Sequence, residues 1–253
     1  MPDSWLMLGA AALGAALGGL FHGVSGLAFP AVALSLWAWT LPPQIAAPLA
    51  AFGALLAQVA SLGSLRRGFD LRRAAPLILG GALGAPIGVF LLHNADPLRF
   101  RLAIGTLLTL TGLVGLAMRE GPRVTAGGGG LDAFAGLVGG VLGGFAGMAD
   151  AAPAIWLQAR GWKRDLKRAA TQIYAIVTLA LTLAVFASTG ALDAAALPLF
   201  ALVAPAMLIA SFLGALWRRR VSEKTFERLA LAFVLASGVA LLAVGAHVLP
   251  GWR

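Results

Sequence analysis

Eight predominantly apolar stretches, separated by short polar or basic loops, run along the chain. About 20 mainly apolar residues are enough for one α-helix to cross the hydrocarbon core of a bilayer. No segment between the stretches is long and polar enough to form a soluble domain. The pattern therefore predicts an all-α protein that crosses a membrane several times. The stretches cover about residues 5–36, 44–65, 74–92, 98–118, 131–159, 169–189, 194–217 and 226–248.

The first and fifth stretches differ from the others in length and in their central glycines. Each runs for about 30 residues, which is too long for one upright helix and too short for two full spans. Glycine-rich runs interrupt them: GGLFHGVSG begins at Gly18 and GGFAGMAD begins at Gly143. We expect two helices joined at membrane depth, either as a re-entrant hairpin or as a sharply broken span. Irregular backbone at that depth is tolerated only where protein or a watery cavity covers it, so both breaks are candidate sites.

Basic residues predict the orientation of the segments, because Lys and Arg concentrate in cytoplasmic loops. Basic clusters lie at 66–73, 160–168 and 218–224, and the loops at 37–44 and 188–193 contain no basic residue. Placing the basic clusters on the cytoplasmic side gives a consistent membrane topology only if both long stretches return to the side from which they enter. Arg99 and Arg101 fit this scheme less well, because it places their loop outside.

The two halves of the chain then have the same plan and opposite orientation. Each half is a broken or re-entrant helical hairpin followed by three transmembrane helices. A sequence echo supports the repeat, since GGLFHGVSGLAFPAVAL at 18–34 resembles GGFAGMADAAPAIWL at 143–157. We therefore expect a polytopic membrane protein of two inverted repeats, 1–123 and 124–253, in one membrane domain. Secondary transporters often have this architecture and bind substrate near the midplane at discontinuous helices.

Composition and charge agree with a membrane protein. Of 253 residues, 60% are hydrophobic and 11% charged, whereas soluble domains have about 25% charged residues. The net charge of +9 does not indicate nucleic-acid binding, because the basic residues form short clusters between apolar stretches. The N-terminus lacks the basic flank of a signal peptide and is expected to remain in the first membrane segment. No cysteine is present and the three histidines are scattered, so we expect no metal site and no cofactor.

These motifs, taken together, resemble the sulfite exporter TauE/SafE family of membrane transporters. In that family each half begins with a break of the form G-G-x-x-G-x-G-G-G followed by Pro, and the next span opens with A-x-G-T-S. Here the breaks read GGLFHGVSGLAFP and GGFAGMADAAP, followed by LPPQIAAPLA and WKRDLKRAATQ. The triple glycine is replaced by VSG and MAD, and the G-T-S positions hold Ala47, Pro48 and Leu49 in one half and Ala170, Thr171 and Gln172 in the other.

The residues at the two breaks are the candidate substrate-binding site. A helix that restarts after a break presents free amide N–H groups, and its dipole favours an anion. The alternative is that the glycines only permit a tight turn between packed helices. Thr171 and Gln172 are included because they occupy the family's G-T-S positions. The candidates are His22, Gly23, Ser25, Gly26, Gly147, Met148, Ala149, Asp150, Thr171 and Gln172.

Asp150 and His22 are the candidate proton-coupling groups. Asp150 is the only carboxylate well inside an apolar stretch, and an unpaired charge in lipid costs roughly 3 kcal/mol or more. It could carry a coupling proton, bind a cationic substrate, or cap the helix AAPAIWLQA. His22 lies in the first break, where it could titrate near neutral pH or bond a neighbouring carbonyl. For Gln58 and Tyr174, polar residues within spans, we expect interhelical hydrogen bonds.

The resemblance implies a transporter and not an enzyme. We expect it to move a small anion, a sulfur oxyanion or organosulfonate similar to sulfite, across a bacterial-type inner membrane by alternating access around a central site. The alternatives are a carboxylate or cationic solute bound by Asp150, and an intramembrane enzyme, for which the apolar segments lack a cluster of acid, base or metal ligands. The expected partners are the small anion and the lipid bilayer; the sequence defines no oligomeric state.

Overall fold

The computed structural model describes residues 3–25, 29–62, 71–117, 128–162, 164–190, 196–217 and 223–248. Within these residues all regular structure is helical, which confirms the predicted all-α class. The helices are α1 (Asp3–Ser25), α2 (Phe29–Thr40), α3 (Pro43–Ala60), α4 (Leu71–His93), α5 (Pro97–Ala117), α6 (Gly129–Ala146), α7 (Ala151–Ala159), α8 (Arg164–Ser188), α9 (Leu197–Trp217) and α10 (Glu223–Val248).

Eight of the described helices are long and apolar enough to cross a membrane, namely all except α2 and α7. The chain is therefore a multi-pass membrane protein. Helix α2 has 12 residues and α7 has nine. At 1.5 Å per residue α7 is only about 13 Å long, less than half the thickness of the hydrocarbon core. Each long apolar stretch thus forms one long helix and one short helix.

Both short helices fold back along the long helix that precedes them. The indole Nε1 of Trp37 in α2 donates a hydrogen bond to the carbonyl O of Ala10 in α1 at 3.1 Å. In the other hairpin, Nε1 of Trp156 in α7 donates to Oδ1 of Asp132 at 2.7 Å, and Asp132 lies in the first turn of α6. Each long stretch therefore forms a helical hairpin in which the short helix turns back on the long one.

Glycines at four-residue spacing bring α4 and α6 into close backbone contact. A Cβ atom added at Gly80 would meet the carbonyl O of Ala133, and one added at Gly88 would meet the carbonyl O of Val141. Residue numbers rise together along the two helices, so α4 and α6 are parallel. Small residues are the usual means by which membrane helices approach this closely.

A second parallel pair, α1 with α9, forms in the same way. An added Cβ would meet the Met207 backbone at Gly19 and the Ser211 backbone at Gly23. By contrast, α5 and α10 are antiparallel, because Gly245 of α10 packs on Leu102 of α5, near its start, while later α5 residues pack on earlier α10 residues. If helices α1–α5 are matched in order with α6–α10, the α1–α9 pair corresponds to the α4–α6 pair. The α5–α10 pair then corresponds to itself.

The two arginines that fit the predicted orientation least well have local partners. Nε of Arg99 lies 2.9 Å from Oδ2 of Asp96. Nε of Arg101 donates to the carbonyl O of Ala38 at 3.1 Å, in the last turns of α2, where helix carbonyls lack partners within the helix. Arg99 thus has an ion-pair partner and Arg101 a hydrogen-bond acceptor at this end of the bundle.

We predict that Gly84→Ala destabilises the protein, because the new Cβ would press on the Leu137 carbonyl of α6. Overpacking of this kind lowers the free energy of unfolding by about 1–3 kcal/mol. Gly9→Ala is the control, since nothing lies within 4 Å of a Cβ at Gly9 and alanine favours helix over glycine. Thermal unfolding of the purified variants in detergent measures both effects. Equal stability of the two variants would contradict the close α4–α6 packing.

Candidate functional site

The second break begins where α6 ends, at Gly147. This residue has a φ of 67°, a left-handed conformation that side chains disfavour. Its N–H donates to the carbonyl O of Gly143 at 2.8 Å, and the N–H of Met148 donates to the carbonyl O of Leu142 at 3.3 Å. These bonds satisfy helix-end carbonyls that would otherwise lack partners. The break is held in place by its own backbone.

The backbone of the break presses against the middle of α3. An added Cβ at Gly147 would lie 2.5 Å from the backbone N of Ala51 and 2.6 Å from the carbonyl C of Ala50. Met148 and Ala149 follow with their side chains buried in the hydrophobic core. The break is therefore covered by protein, as irregular backbone in a membrane must be unless it lines water.

Asp150 occupies the N-cap position of α7, but its carboxylate does not cap the helix. A capping side chain accepts a bond from the second or third helical N–H, and the third position here is Pro153, which has no N–H. The Asp150 carboxylate instead accepts a hydrogen bond from Nε2 of Gln58 in α3 at 3.2 Å. Of the three predicted roles for Asp150, the side-chain cap is therefore wrong.

Gln58 joins three helices through its side chain and its main chain. Besides its bond to Asp150, its carbonyl O accepts a hydrogen bond from Nε2 of Gln172 in α8 at 2.8 Å. Gln58, Thr171 and Gln172 are all buried. The hydroxyl of Thr171 and Oε1 of Gln172 are buried and have no hydrogen-bond partner within the described parts of the chain. Buried polar atoms without partners are rare in folded proteins and call for an explanation.

His22 reaches the same end of α3 from the first hairpin. Its Nε2 lies 3.3 Å from Oγ of Ser61, and that hydroxyl donates its hydrogen to the carbonyl O of Ala57 at 2.9 Å. The Ser61 oxygen can therefore accept from His22, which assigns the proton to Nε2 in the neutral ring. His22 is buried, and its contact with Ser61 lies one turn beyond Gln58 on α3.

The structure thus brings His22, Asp150 and Gln172 to adjacent turns of α3. Gly23 faces Ser211 of α9 and serves helix packing, and Ser25 is the last residue of α1. Gly26, also predicted to bind substrate, lies outside the described residues. A role in substrate binding stays a prediction for all of the candidates.

Gln58 was not among the candidate binding residues, although it contacts two of them. The signal available in the sequence was a single glutamine inside an apolar stretch, which by itself indicates only an interhelical hydrogen bond. Tyr174 forms such a bond as expected, with its hydroxyl donating to the carbonyl O of Gly136 at 2.6 Å. In the part of the chain that the structure describes, no three His, Asp or Glu side chains gather as a metal site.

A second polar cluster, not expected from the sequence, ties the two ends of the α6–α7 hairpin together. Buried Asp132 accepts from Trp156 and lies 3.9 Å from Nε of Arg160. The Arg160 guanidinium is 5.9 Å from the centroid of the Trp156 ring, a cation–π distance. This cluster fixes α7 against the start of α6 and thereby positions Asp150.

We predict that Asp132→Ala destabilises the hairpin, because the Trp156 indole loses its hydrogen-bond acceptor and the ion pair with Arg160 is removed. A hydrogen bond to a charged group contributes about 1.5–3 kcal/mol. Arg99→Ala is the control, since it removes an exposed ion pair, with 80% and 49% of the Arg99 and Asp96 side chains accessible, and keeps the bond from the Arg99 backbone N–H to the Asp96 carboxylate. Such exposed pairs contribute about 0–1 kcal/mol. Thermal unfolding in detergent compares the variants, and an equal loss in both would show that the Asp132 cluster does not hold the hairpin.

Comparison with known proteins gives one family. The family model described as Sulfite exporter TauE/SafE matches residues 10–241, a range that includes both hairpins and every helix that contributes to the site. No match is found among curated proteins or among solved structures. The match confirms the resemblance inferred from the two glycine breaks, and the chain belongs to the sulfite exporter TauE/SafE family of membrane transporters.

Proposed function

We propose that this protein carries a small sulfur oxyanion or organosulfonate across the cell membrane through a site formed around Gln58. The observation that carries the proposal is the convergence of side chains from α1, α7 and α8 on adjacent turns of α3. Family membership supplies the class of solute. The site itself supplies polar groups inside a segment that is otherwise apolar, which in membrane proteins marks solute and ion pathways.

The unpartnered atoms of α8 support binding at this place. The Thr171 hydroxyl and Gln172 Oε1 are buried without a partner in the described chain, so a polar solute would satisfy groups that the protein leaves open. The break at Gly147 adds irregular backbone against Ala50 and Ala51, about two turns before Gln58 on α3. Discontinuous helices beside a polar site are the usual construction of secondary transporters.

Alternating access would follow from the way in which the two halves are connected. In this proposal residues 1–123 and 124–253 are inverted repeats, and the correspondence of helix pairs described above supports them. The α1–α9 and α4–α6 pairs each join a hairpin helix of one half to a span of the other through glycine contacts. Such pairs move as rigid units, so rocking one pair against the other would open the site to either side in turn.

Asp150 is the group best placed to couple transport to a proton. A carboxylate close to a bound anion repels it, and the repulsion is strong where water is excluded. Protonation of Asp150 removes the repulsion, so anion and proton would bind together. His22, whose ring reaches Ser61, is the second candidate for the coupling proton.

We predict that Asp150→Asn lowers proton-driven sulfite flux in proteoliposomes by about tenfold or more, because the amide cannot exchange a proton and mimics only the neutral carboxyl. Binding and downhill exchange persist in this variant. Asp165→Asn is the matched control, since Asp165 is an exposed acid in the first turn of α8, and it should retain full flux. Full proton-driven flux in Asp150→Asn would exclude the coupling role, and absence of flux in the unmodified protein would exclude the transport of sulfite.

A further inference from the structure

The side-chain amide of Gln172 is held in one orientation. Its neighbour, 2.8 Å away, is the backbone carbonyl O of Gln58, which can only accept a hydrogen bond. The atom facing that carbonyl must therefore be the amide nitrogen, and the amide oxygen Oε1 must point away from it. That oxygen is buried and without a partner in the described residues. Oε1 can therefore accept a hydrogen bond from a ligand.

The adjacent residue on α8 presents a second open group. The Thr171 side chain is 6% exposed, and its hydroxyl has no partner in the described residues. A hydroxyl can both donate and accept, so Thr171 can donate to an oxyanion. Two neighbouring side chains thus leave open one obligatory acceptor and one available donor.

Asp150 is the other side chain that contacts Gln58. Its carboxylate accepts from Gln58 Nε2, and this bond occupies the amide hydrogen that Gln58 directs towards α7. Among the basic side chains nearby, Arg160 lies against Asp132 and Lys167 donates to Gln158, whereas Arg168 lies close enough to His22 for its charge to act on the ring. A ligand made only of acceptor atoms would leave Gln172 Oε1 without a donor.

We propose that the site selects a singly charged sulfur oxyanion that carries a donor hydrogen, with Gln172 Oε1 accepting that hydrogen and the Thr171 hydroxyl donating to an oxygen of the anion. This inference rests on the proposed function and deepens it. Hydrogen sulfite has this chemistry, and so does a sulfonate with a hydroxyl group on its side chain. A dianion such as sulfate offers only acceptors and leaves Gln172 Oε1 unsatisfied.

Two ligand pairs test the inference with the unmodified, full-length protein in detergent. Isothermal titration compares 2-hydroxyethanesulfonate with ethanesulfonate, which differ only in the hydroxyl group, and hydrogen sulfite at mildly acidic pH with sulfate. We expect the donor-bearing member of each pair to bind about tenfold tighter or more, because a site that holds an unpaired polar group rejects analogues that lack its partner. Equal affinities for ethanesulfonate and 2-hydroxyethanesulfonate would overturn the inference and leave the proposed function intact. Absence of binding by every sulfur oxyanion would overturn both.

Variants of the two residues assign the contacts. Gln172→Met keeps the length of the side chain but removes Oε1 together with the Nε2 bond to the Gln58 carbonyl. Both sulfonates should therefore bind more weakly, and the two affinities should become about equal. Thr171→Val should weaken both sulfonates by the same factor, and Thr171→Ser, which keeps the hydroxyl, should restore most of the affinity that Thr171→Val loses. A preference that survives in folded Gln172→Met would overturn the role of Oε1. If that variant fails to fold, the ligand pairs with the unmodified protein decide the question.

Discussion

A helix that stops inside a membrane frees backbone groups that lipid cannot satisfy, and this constraint shapes the structure around the second hairpin. Gly147 meets it by turning left-handed and returning its N–H to Gly143. The turn then lies on the backbone of Ala50 and Ala51, where small side chains let it approach. The middle of helix α3 thus covers the break, and the end of the same helix carries the polar contacts of Gln58 and Ser61.

Each hairpin packs closely against a span from the other half of the chain. The glycine contacts of α1 with α9 and of α4 with α6 leave no side chains between the backbones, and closely packed interfaces of this kind move as units. In the proposed alternating-access mechanism, movement of either pair would shift a break relative to α3 and change the surroundings of Gln58. The packing that stabilises the breaks would then also link access to the site from the two sides of the membrane.

The apolar pattern and the two glycine breaks were sufficient to predict the helical membrane fold and the interruption of the two long stretches. They also placed Asp150 and Gln172 in one candidate site, and each of these residues bonds Gln58. They could not identify Gln58, because a glutamine in an apolar stretch carries no information about which helix it will face. Asp132 could not be identified for a similar reason, because Trp156 and Arg160 come close to it only when α7 folds back. The sequence also shows that Pro153, at the third position of α7, removes one of the two N–H groups that an Asp150 cap could use.

The account depends most on both hairpins reaching the end of α3, and cross-linking in native membranes measures this directly. The chain contains no cysteine, so cysteine pairs can be introduced into the natural sequence. Pairs at 58 with 150 and at 22 with 61 should be joined by a short bifunctional thiol reagent, since the native side chains are 3.2 and 3.3 Å apart. A pair at 9 with 150 should remain unlinked. Failure of the 58–150 pair, or linkage of the control to the same extent, would contradict the account.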